Sequence, residues 1–481
     1  MDTLHVDVAV IGAGTAGLSA FRAAKSHGKR VLLIEGGPYG TTCARVGCMP
    51  SKLLIAAAEA AHAVGVAPEF GVHTGFLRID GKAVMARVRS ERDRFVGFVI
   101  DGVDQIPAAE RLRGMARFTA RNQLQVDDHT LVNAERIVIA TGSSAALSPL
   151  LKNAGERLVI NDDVFMWDDL PPSVAVVGSG IIGLELGIAL HRLGVRVALF
   201  GRSNRLAQLS DPAVLDSARR SFGAEFDLRL GSQLLDVQRV GDQLELQSRS
   251  ADGKEHTEHY AYVLAATGRR PNLATLDLAR TQLTLDGHGI PLFDPHTMQC
   301  GDSSIFIAGD VNNERPLLHE AADQGRIAGD NAGRFPAIQR GWRHTPLAVV
   351  FTDPQIATVG ESFHALSERK GEGHFAIGAV SFEDQGRSRV MLVNHGLLRV
   401  YAEHGSGRLL GAEMVGPRAE HLAHLLAWAC QSQMTIEQML RLPFYHPVIE
   451  EGLRTALRDA ADKLLHGLPE IEHCADCTPG M

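Results

Sequence analysis

The most regular pattern in the chain is a short apolar strand running into a glycine turn, and it occurs twice. Residues 6–11 (Val-Asp-Val-Ala-Val-Ile) enter Gly12-Ala-Gly14-Thr-Ala-Gly17, and residues 174–177 (Val-Ala-Val-Val) enter Gly178-Ser-Gly180-Ile-Ile-Gly183. Each turn leads into a stretch with helical spacing and then a second strand, residues 30–35 in the first copy and 196–200 in the second. Strand, helix and strand repeated in this way predict two parallel-sheet nucleotide-binding units.

Between and after these copies the pattern changes. Residues 50–65 and 80–100 read as helices, and 110–140 as short strands ending in Ile-Val-Ile-Ala-Thr141-Gly142; the second unit closes similarly on Val-Leu-Ala-Ala-Thr-Gly268. Residues 271–345 carry Ile-Phe-Ile-Ala-Gly-Asp310 and then one helix. Strands near 347–360, 375–382, 396–403 and 408–415 precede helices near 417–432, 435–441 and 448–466, an α+β unit. The expected fold is therefore α/β. Two Rossmann-like domains (1–147 and 148–270) are followed by a central segment that completes the first (271–345), a C-terminal α+β domain (346–466) and a polar tail (467–481).

Composition narrows the function classes. The 481 residues are 45% hydrophobic and 22% charged, ordinary for a globular chain able to bury a sizeable core. With 48 basic against 56 acidic residues the net charge is −8, which provides no electrostatic footprint for nucleic acid. No apolar run reaches the roughly 18 residues a membrane span needs; the most apolar stretch, 53–67, is interrupted by Glu59 and His62. The start, Met-Asp-Thr-Leu-His, lacks the basic region of a signal peptide, so a cytoplasmic setting is expected. Six cysteines are too few for a disulfide framework in so long a chain. A close pair is then redox-active or metal-binding, and two exist: Cys43 with Cys48, and Cys474 with Cys477.

In the first glycine turn, Gly12 permits the tight bend, Gly14 lets a pyrophosphate approach the backbone, and Gly17 lets helix and strand pack closely. Glu35 ends the next strand, where an acid accepts from ribose hydroxyls. Gly178, Gly180 and Gly183 repeat the turn, but the acid's position falls at or near Gly201, and Arg202 and Arg205 follow. A missing carboxylate with nearby arginines suits the 2′-phosphate of NADP; solvated loop arginines account for the same residues equally well. NAD and NADP both stay open.

Directly after the first unit comes Cys43-Ala-Arg-Val-Gly-Cys48-Met-Pro-Ser-Lys52. Pro50 suits a first helical turn, so Cys48 sits near a helix N-terminus, where the dipole favours thiolate. With these motifs, the two fingerprints, Gly268-Arg-Arg-Pro-Asn272, Ala308-Gly-Asp310, Leu317-Leu-His-Glu-Ala321, Phe351-Thr-Asp-Pro and His446-Pro-Val-Ile-Glu-Glu451, residues 5–465 resemble the FAD-dependent pyridine nucleotide–disulfide oxidoreductases. Within that family they are most similar to the dihydrolipoyl dehydrogenases.

The resemblance implies a set of roles. Gly12, Gly14, Gly17 and Glu35 would hold FAD, Asp310 its ribityl chain, the backbone near His319 its ring, and Gly114 and Ala116 its adenine. Thr141, Gly142 and Gly268, at the strand ends, would border the cofactors; Gly178, Gly180, Gly183 and Arg202 would take NAD(P). Lys52 would reach the flavin and pair with Glu185, since a buried charge needs a partner. Cys48 would touch the flavin and Cys43 would exchange with substrate sulfur. His446, oriented by Glu451, would be the base that takes the substrate thiol proton, a task suited to a side chain that titrates near neutrality. That dyad would come from the other subunit, so a homodimer is implied, with a lipoyl-bearing protein or small dithiol as substrate.

Departures from the family pattern place Thr41 for a glycine, Ala44-Arg45 for Leu-Asn, Val448 for a threonine, and Phe444 where lipoamide enzymes commonly have a second histidine. They leave the thiol relay intact but count against a dithiol substrate; Arg202, Arg205 and the tail cysteine pair favour a rival reading, an NADPH-driven disulfide or mercuric-ion reductase. In the tail, His473, Cys474 and Cys477 read as adventitious thiols, with an electron relay or a metal clip as the alternatives. No metal ligand set is otherwise expected. Cys300 and Cys430 read as structural. A non-catalytic flavoprotein scaffold and a transhydrogenase without a thiol step are both disfavoured by Cys43 and Cys48.

Overall fold

The computed structural model describes residues 2–371 and 373–465. His473, Cys474 and Cys477 lie outside the described residues.

The first glycine turn joins β1 (Asp2–Ile11) to α1 (Thr15–Ser26), which leads to β2 (Val31–Glu35). Then come α2 (Thr42–Val46), α3 (Cys48–Val66) and α4 (Gly81–Asp104), followed by β3 (Arg111–Arg113), β4 (Ala116–Ala120), β5 (Gln123–Val126) and β6 (Thr130–Ile139). β1 is parallel to β2 on one side and to β6 on the other. Its Val8, Ala9 and Val10 are fully buried, as a strand covered on both faces requires. α4 begins because the Asp80 carboxylate accepts from Ala83 N at 3.0 Å.

The second unit begins with β7 (Ser143–Ala145), β8 (Leu158–Val159) and α5 (Asn161–Val164). The repeated glycine turn then joins β9 (Ser173–Val177) to α6 (Ile181–Arg192), with β10 (Arg196–Gly201) after it. α7 (Pro212–Glu225), β11 (Asp227–Leu230), a meander of β12 (Gln233–Val240), β13 (Gln243–Arg249) and β14 (Glu255–Tyr260), and β15 (Tyr262–Ala265) complete it. The parallel sheet runs β11-β10-β9-β15-β8. Downstream, β16 (Arg269–Pro271) pairs antiparallel with β7.

The segment from 271 returns to the first sheet. β17 (Ile305–Ile307) adds parallel to β6. α8 (Leu318–Arg334) lies directly on α1: a Cβ at Gly325 would meet Ala16 O at 2.2 Å, and one at Gly329 would meet Ala20 O at 2.2 Å. Two glycines four residues apart on one face let the helix backbones touch.

The C-terminal unit is an antiparallel sheet, β18-β19-β22-β21-β20, made of β18 (Leu347–Val350), β19 (Gln355–Gly360), β20 (Phe375–Ser381), β21 (Leu397–Glu403) and β22 (Leu409–Gly416). Helices α9 (Phe363–Lys370), α10 (Gly386–Val390), α11 (Ala419–Gln431), α12 (Ile436–Leu440) and α13 (Glu450–Lys463) accompany it. Its core includes Val400, Leu422, Ala423 and Leu457, each fully buried. Burying one such Val or Leu contributes about 1.5–3 kcal/mol.

The expectation about apolar runs needs one correction. The stretch Thr42–Phe70, made of α2, α3 and the short 3-10 turn after them, is long and apolar enough to cross a membrane by length and composition. Isolated charges such as Lys52 and Glu59 do not offset its many alanines and its Leu53-Leu-Ile55 run. Here one face of it, Leu54, Ile55, Ala58 and Ala61, is built into the core shared with Met85 and Val88 of α4 and Leu184 of α6.

Candidate active site

The two glycine turns are the same device. Gly12 and Gly178 have φ of +106° and +122°, and a Cβ on either would run into a carbonyl oxygen, Ala140 at 2.4 Å or Ala266 at 2.1 Å. Gly17 and Gly183 lie against the carbonyls of Gly12 and Gly178, at 1.8 and 2.0 Å from a would-be Cβ. Only glycine lets helix and strand approach this closely. Gly14 and Gly180 instead face open space, and no side chain caps α1 or α6. Each helix therefore presents free first-turn N–H groups above an open cradle, which suits a pyrophosphate.

The strand ends differ. The Glu35 carboxylate faces the first turn, accepting from Ala13 N at 2.7 Å and Gly37 N at 2.6 Å. In the second unit, a side chain at Gly201 would meet Leu230 at 2.8 Å and Ser179 Oγ at 2.9 Å. Ser179 occupies the acid's place and donates to Arg205 O at 2.7 Å. Arg202 and Arg205 are exposed, and neither has an acidic partner among the described residues.

A cavity of about 670 Å³ opens between the units. Of the residues singled out by sequence, it is lined by Gly14, Cys43, Cys48, Lys52, Gly142, Gly180, Glu185, Gly268, Asp310 and His319. Gly12, Gly17, Glu35, Thr141, Gly178 and Gly183 are not among its lining residues. Gly114 and Ala116 lie off it, beyond Glu35, whose carbonyl accepts from Gly114 N at 3.1 Å. Arg45 does not line the cavity either; its side chain packs on Gly40 instead of standing in the cavity beside the cysteines.

Cys48 is the first residue of α3 and Cys43 lies in α2, one turn away. The Cys43 thiol donates to the Cys48 sulfur, and the Lys52 ammonium lies nearby. Together they outweigh the effect of burial and lower the Cys48 thiol to about 7. Cys43 is pushed up by the same hydrogen bond and by burial, so in the reduced pair it holds the proton while Cys48 carries the charge.

Lys52 Nζ donates to both Glu185 oxygens, at 2.9 and 2.7 Å, and Glu185 is buried. Glu185 Oε1 also accepts from Phe351 N at 2.9 Å, and the Phe351 ring lies 4.7 Å from Lys52 Nζ. One ion pair thus ties α3, α6 and the start of the C-terminal unit together.

His446 is two-thirds exposed and does not reach the cavity of its own chain. Its Nδ1 pairs with Glu451 Oε1 at 2.9 Å, and Glu451 Oε2 accepts from Val448 N at 3.1 Å. The carboxylate at the start of α13 therefore fixes the ring orientation and leaves Nε2 outward. The same unit exposes Leu425, Trp428, Leu442 and Tyr445.

Sequence reading missed several supporting residues. Ser143 Oγ donates to Asp310 Oδ2 at 2.9 Å, and Arg269 Nη2 donates to Ser143 O at 2.6 Å. Thr141 Oγ1 donates to Asn272 O at 2.8 Å, and Asn272 N to Gly142 O at 2.9 Å, so the two Ala-Thr-Gly ends are latched. The signal was their place directly after each Ala-Thr-Gly. Buried Asn161 donates to Val46 O at 2.8 Å and holds α2; nothing in its local sequence marks it.

Residues 6–325 match the family described as pyridine nucleotide-disulphide oxidoreductase, and residues 347–457 match its dimerisation domain. The chain is 32% identical to the mercuric reductase of Shigella flexneri, over 94% of this chain and 80% of that one. It is 30% identical to the dihydrolipoyl dehydrogenase of Haloferax volcanii, over 96% and 98% respectively. The solved structure of the HOCl-induced flavoprotein disulfide reductase RclA from Escherichia coli, as a Cu(II) complex, superposes with a TM-score of 0.77. That match covers 95% of this chain and 98% of RclA at 20% identity, a likeness of fold.

Proposed function

Because the chain belongs to the pyridine nucleotide-disulphide oxidoreductases, flavoproteins that use FAD and a nicotinamide nucleotide, we propose that it is a dihydrolipoyl dehydrogenase. The observation that carries this reading is the His446–Glu451 pair, kept together with the Cys43–Cys48 pair. A substrate thiol must lose a proton before its sulfur can attack, and an imidazole held by a carboxylate is built to take it.

The site would work as follows. His446 Nε2 takes the proton of one dihydrolipoyl thiol. The resulting thiolate attacks Cys43 in the Cys43–Cys48 disulfide, and Cys48 leaves as a thiolate, a good leaving group with its thiol lowered to about 7. The second substrate thiol then gives up its proton as its sulfur displaces Cys43; that proton ends on the departing Cys43 sulfur, and the imidazolium of His446 retains the first. The substrate leaves as a disulfide, and the enzyme keeps two electrons as Cys43 thiol and Cys48 thiolate. Lys52, held by Glu185, faces that charge. Gly12, Gly14, Gly17, Glu35 and Asp310 would hold FAD, which supplies the two-electron carrier between the thiols and the nicotinamide nucleotide.

The dimerisation domain supports a homodimer. His446 is outward-facing beside exposed Trp428 and Tyr445. We assign it to the cavity of the partner subunit, with a lipoyl-bearing protein or a small dithiol entering between them. The reading places the enzyme in the cytoplasm, whose reducing conditions suit the unlinked Cys300 and Cys430.

One observation favours a second reading. Gly201 with the unpaired Arg202 and Arg205 suits NADP(H), and so an NADPH-driven reductase of a disulfide or of mercuric ion, running the relay in reverse.

Steady-state assays separate the two. Reduction of NAD⁺ by dihydrolipoamide is expected, and its absence alongside NADPH oxidation by glutathione disulfide or Hg²⁺ selects the second reading. Cys48→Ser should abolish turnover while leaving the protein yellow; loss of flavin would assign Cys48 a structural role instead.

A further inference from the structure

The loop after β10, residues 202–209, carries Arg202 and Arg205 and contributes Ala207 and Gln208 to the cavity. It is stitched to the second glycine turn at one end: Ser179 Oγ donates to Arg205 O at 2.7 Å, and Ala207 N donates to Ser179 O at 2.8 Å. Ala207 sits at φ +47°, a conformation that costs an alanine on the order of 1 kcal/mol or more and persists only where neighbours impose it.

The other end is gripped from outside the nucleotide unit. Glu413, on β22 of the C-terminal unit, is fully buried. Its Oε2 accepts from Ser210 N at 2.7 Å and Asp211 N at 2.9 Å; its Oε1 accepts from the Ser210 hydroxyl and from Phe363 N at 2.9 Å. Asp211, also fully buried, caps α7 by accepting from Ala213 N at 2.9 Å. Arg399 reaches both Asp211 oxygens, at 2.7 and 2.9 Å, and Tyr401 donates to it at 2.9 Å. Burial, with the charges of Glu413 and Asp211, pushes the Tyr401 hydroxyl well above its ordinary range, so it stays a donor. A buried carboxylate with four donors is a rigid anchor, and one with a donor removed is costly.

We infer that Glu413 is a positioning residue for the nicotinamide nucleotide, the dimerisation domain reaching across to hold the 202–209 loop in register with Gly178–Gly183. The inference rests on the reading that the second glycine turn takes that nucleotide. It makes nucleotide affinity depend on the seating of the C-terminal unit, through residues that touch no cofactor.

The test is Glu413→Gln, which preserves shape but turns an amide N–H₂ toward the backbone N–H donors. In the flavin-loaded dimer, the Kd and KM for NADH and NADPH should rise about tenfold while kcat at saturating nucleotide stays unchanged. Ser210→Ala, which removes one of the four donors, should give a smaller rise of the same kind and serves if Glu413→Gln does not fold. Unchanged nucleotide Kd, or a fall in kcat matching the rise in KM, overturns the inference. Wild-type enzyme that binds neither nucleotide would instead overturn the reading beneath it.

Discussion

The two glycine turns of this chain are nearly superimposable in their local chemistry, and the strands that follow them end in opposite ways. Gly12 and Gly178 share a positive φ and a carbonyl within 2.4 Å of any added Cβ, and α1 and α6 both start uncapped. Yet β2 ends in Glu35, bonded back to Ala13 and Gly37, whereas β10 ends in Gly201, walled by Ser179 and Leu230 and followed by two exposed arginines with no acidic partner among the described residues. We read the shared part as a phosphate cradle and the strand end as what selects the ligand; the first unit has in addition the thiol helix beside it.

The largest expected effect tests whether the cradles are functionally separate. Gly17→Ala drives a methyl into Gly12 O and should yield protein without flavin, whereas Gly183→Ala should stay yellow and lose nucleotide reduction. Absorbance of the purified variants reads this directly, and a colourless Gly183→Ala would merge the two sites. Next, His446→Ala should slow reduction of the enzyme by dithiol about 10²–10⁴-fold in rapid mixing and leave reoxidation by the nucleotide nearly untouched. Equal slowing of both would remove the base assignment.

A smaller effect bears on the second strand end. Arg202→Ala with Arg205→Ala should raise the KM for NADPH about tenfold and that for NADH little, since a 2′-phosphate is the only group distinguishing them. Equal changes would make these arginines ordinary solvated residues. The smallest is a shift in titration. Below about pH 7 the reduced Cys48 is protonated, and above it is thiolate, so its alkylation rate should rise through about pH 7. Cys43→Ala removes the strongest cause and should move that midpoint upward most; Lys52→Met should move it up by about one unit. An unmoved midpoint in both would assign the low thiol to the N-terminus of α3 alone.

Much of this was legible in the chain itself. Strand-turn-helix periodicity marked both cradles, because a glycine at positive φ and a tight helix–strand crossing admit no other residue. The nearness of Cys48 and Lys52 was legible too, since residues four apart on one helix share a face; Cys43, in α2 across the non-helical Gly47, was not placed by that spacing. That residues 271–345 complete the first unit was an expectation of the sequence reading; the parallel pairing of 305–307 with β6 came from the structure.

Other features depended on contacts between residues far apart in sequence. The resemblance implied the Lys52–Glu185 pair, but nothing in the sequence announces that Phe351 N converges on the same carboxylate, or that Ser143 and Arg269 brace Asp310. Arg45 stands two residues from Cys43 in sequence, and only packing shows its side chain turned toward Gly40. Glu413 is an unremarkable acid in an apolar strand until the 202–211 loop arrives with its donors. The sequence by itself determined the backbone geometry of the two cradles and the order of the units, because steric limits and periodicity act over a few residues. Only the tertiary structure decided which buried charge is balanced by which partner, because desolvation forces a charge to find its counterpart wherever folding brings one within reach.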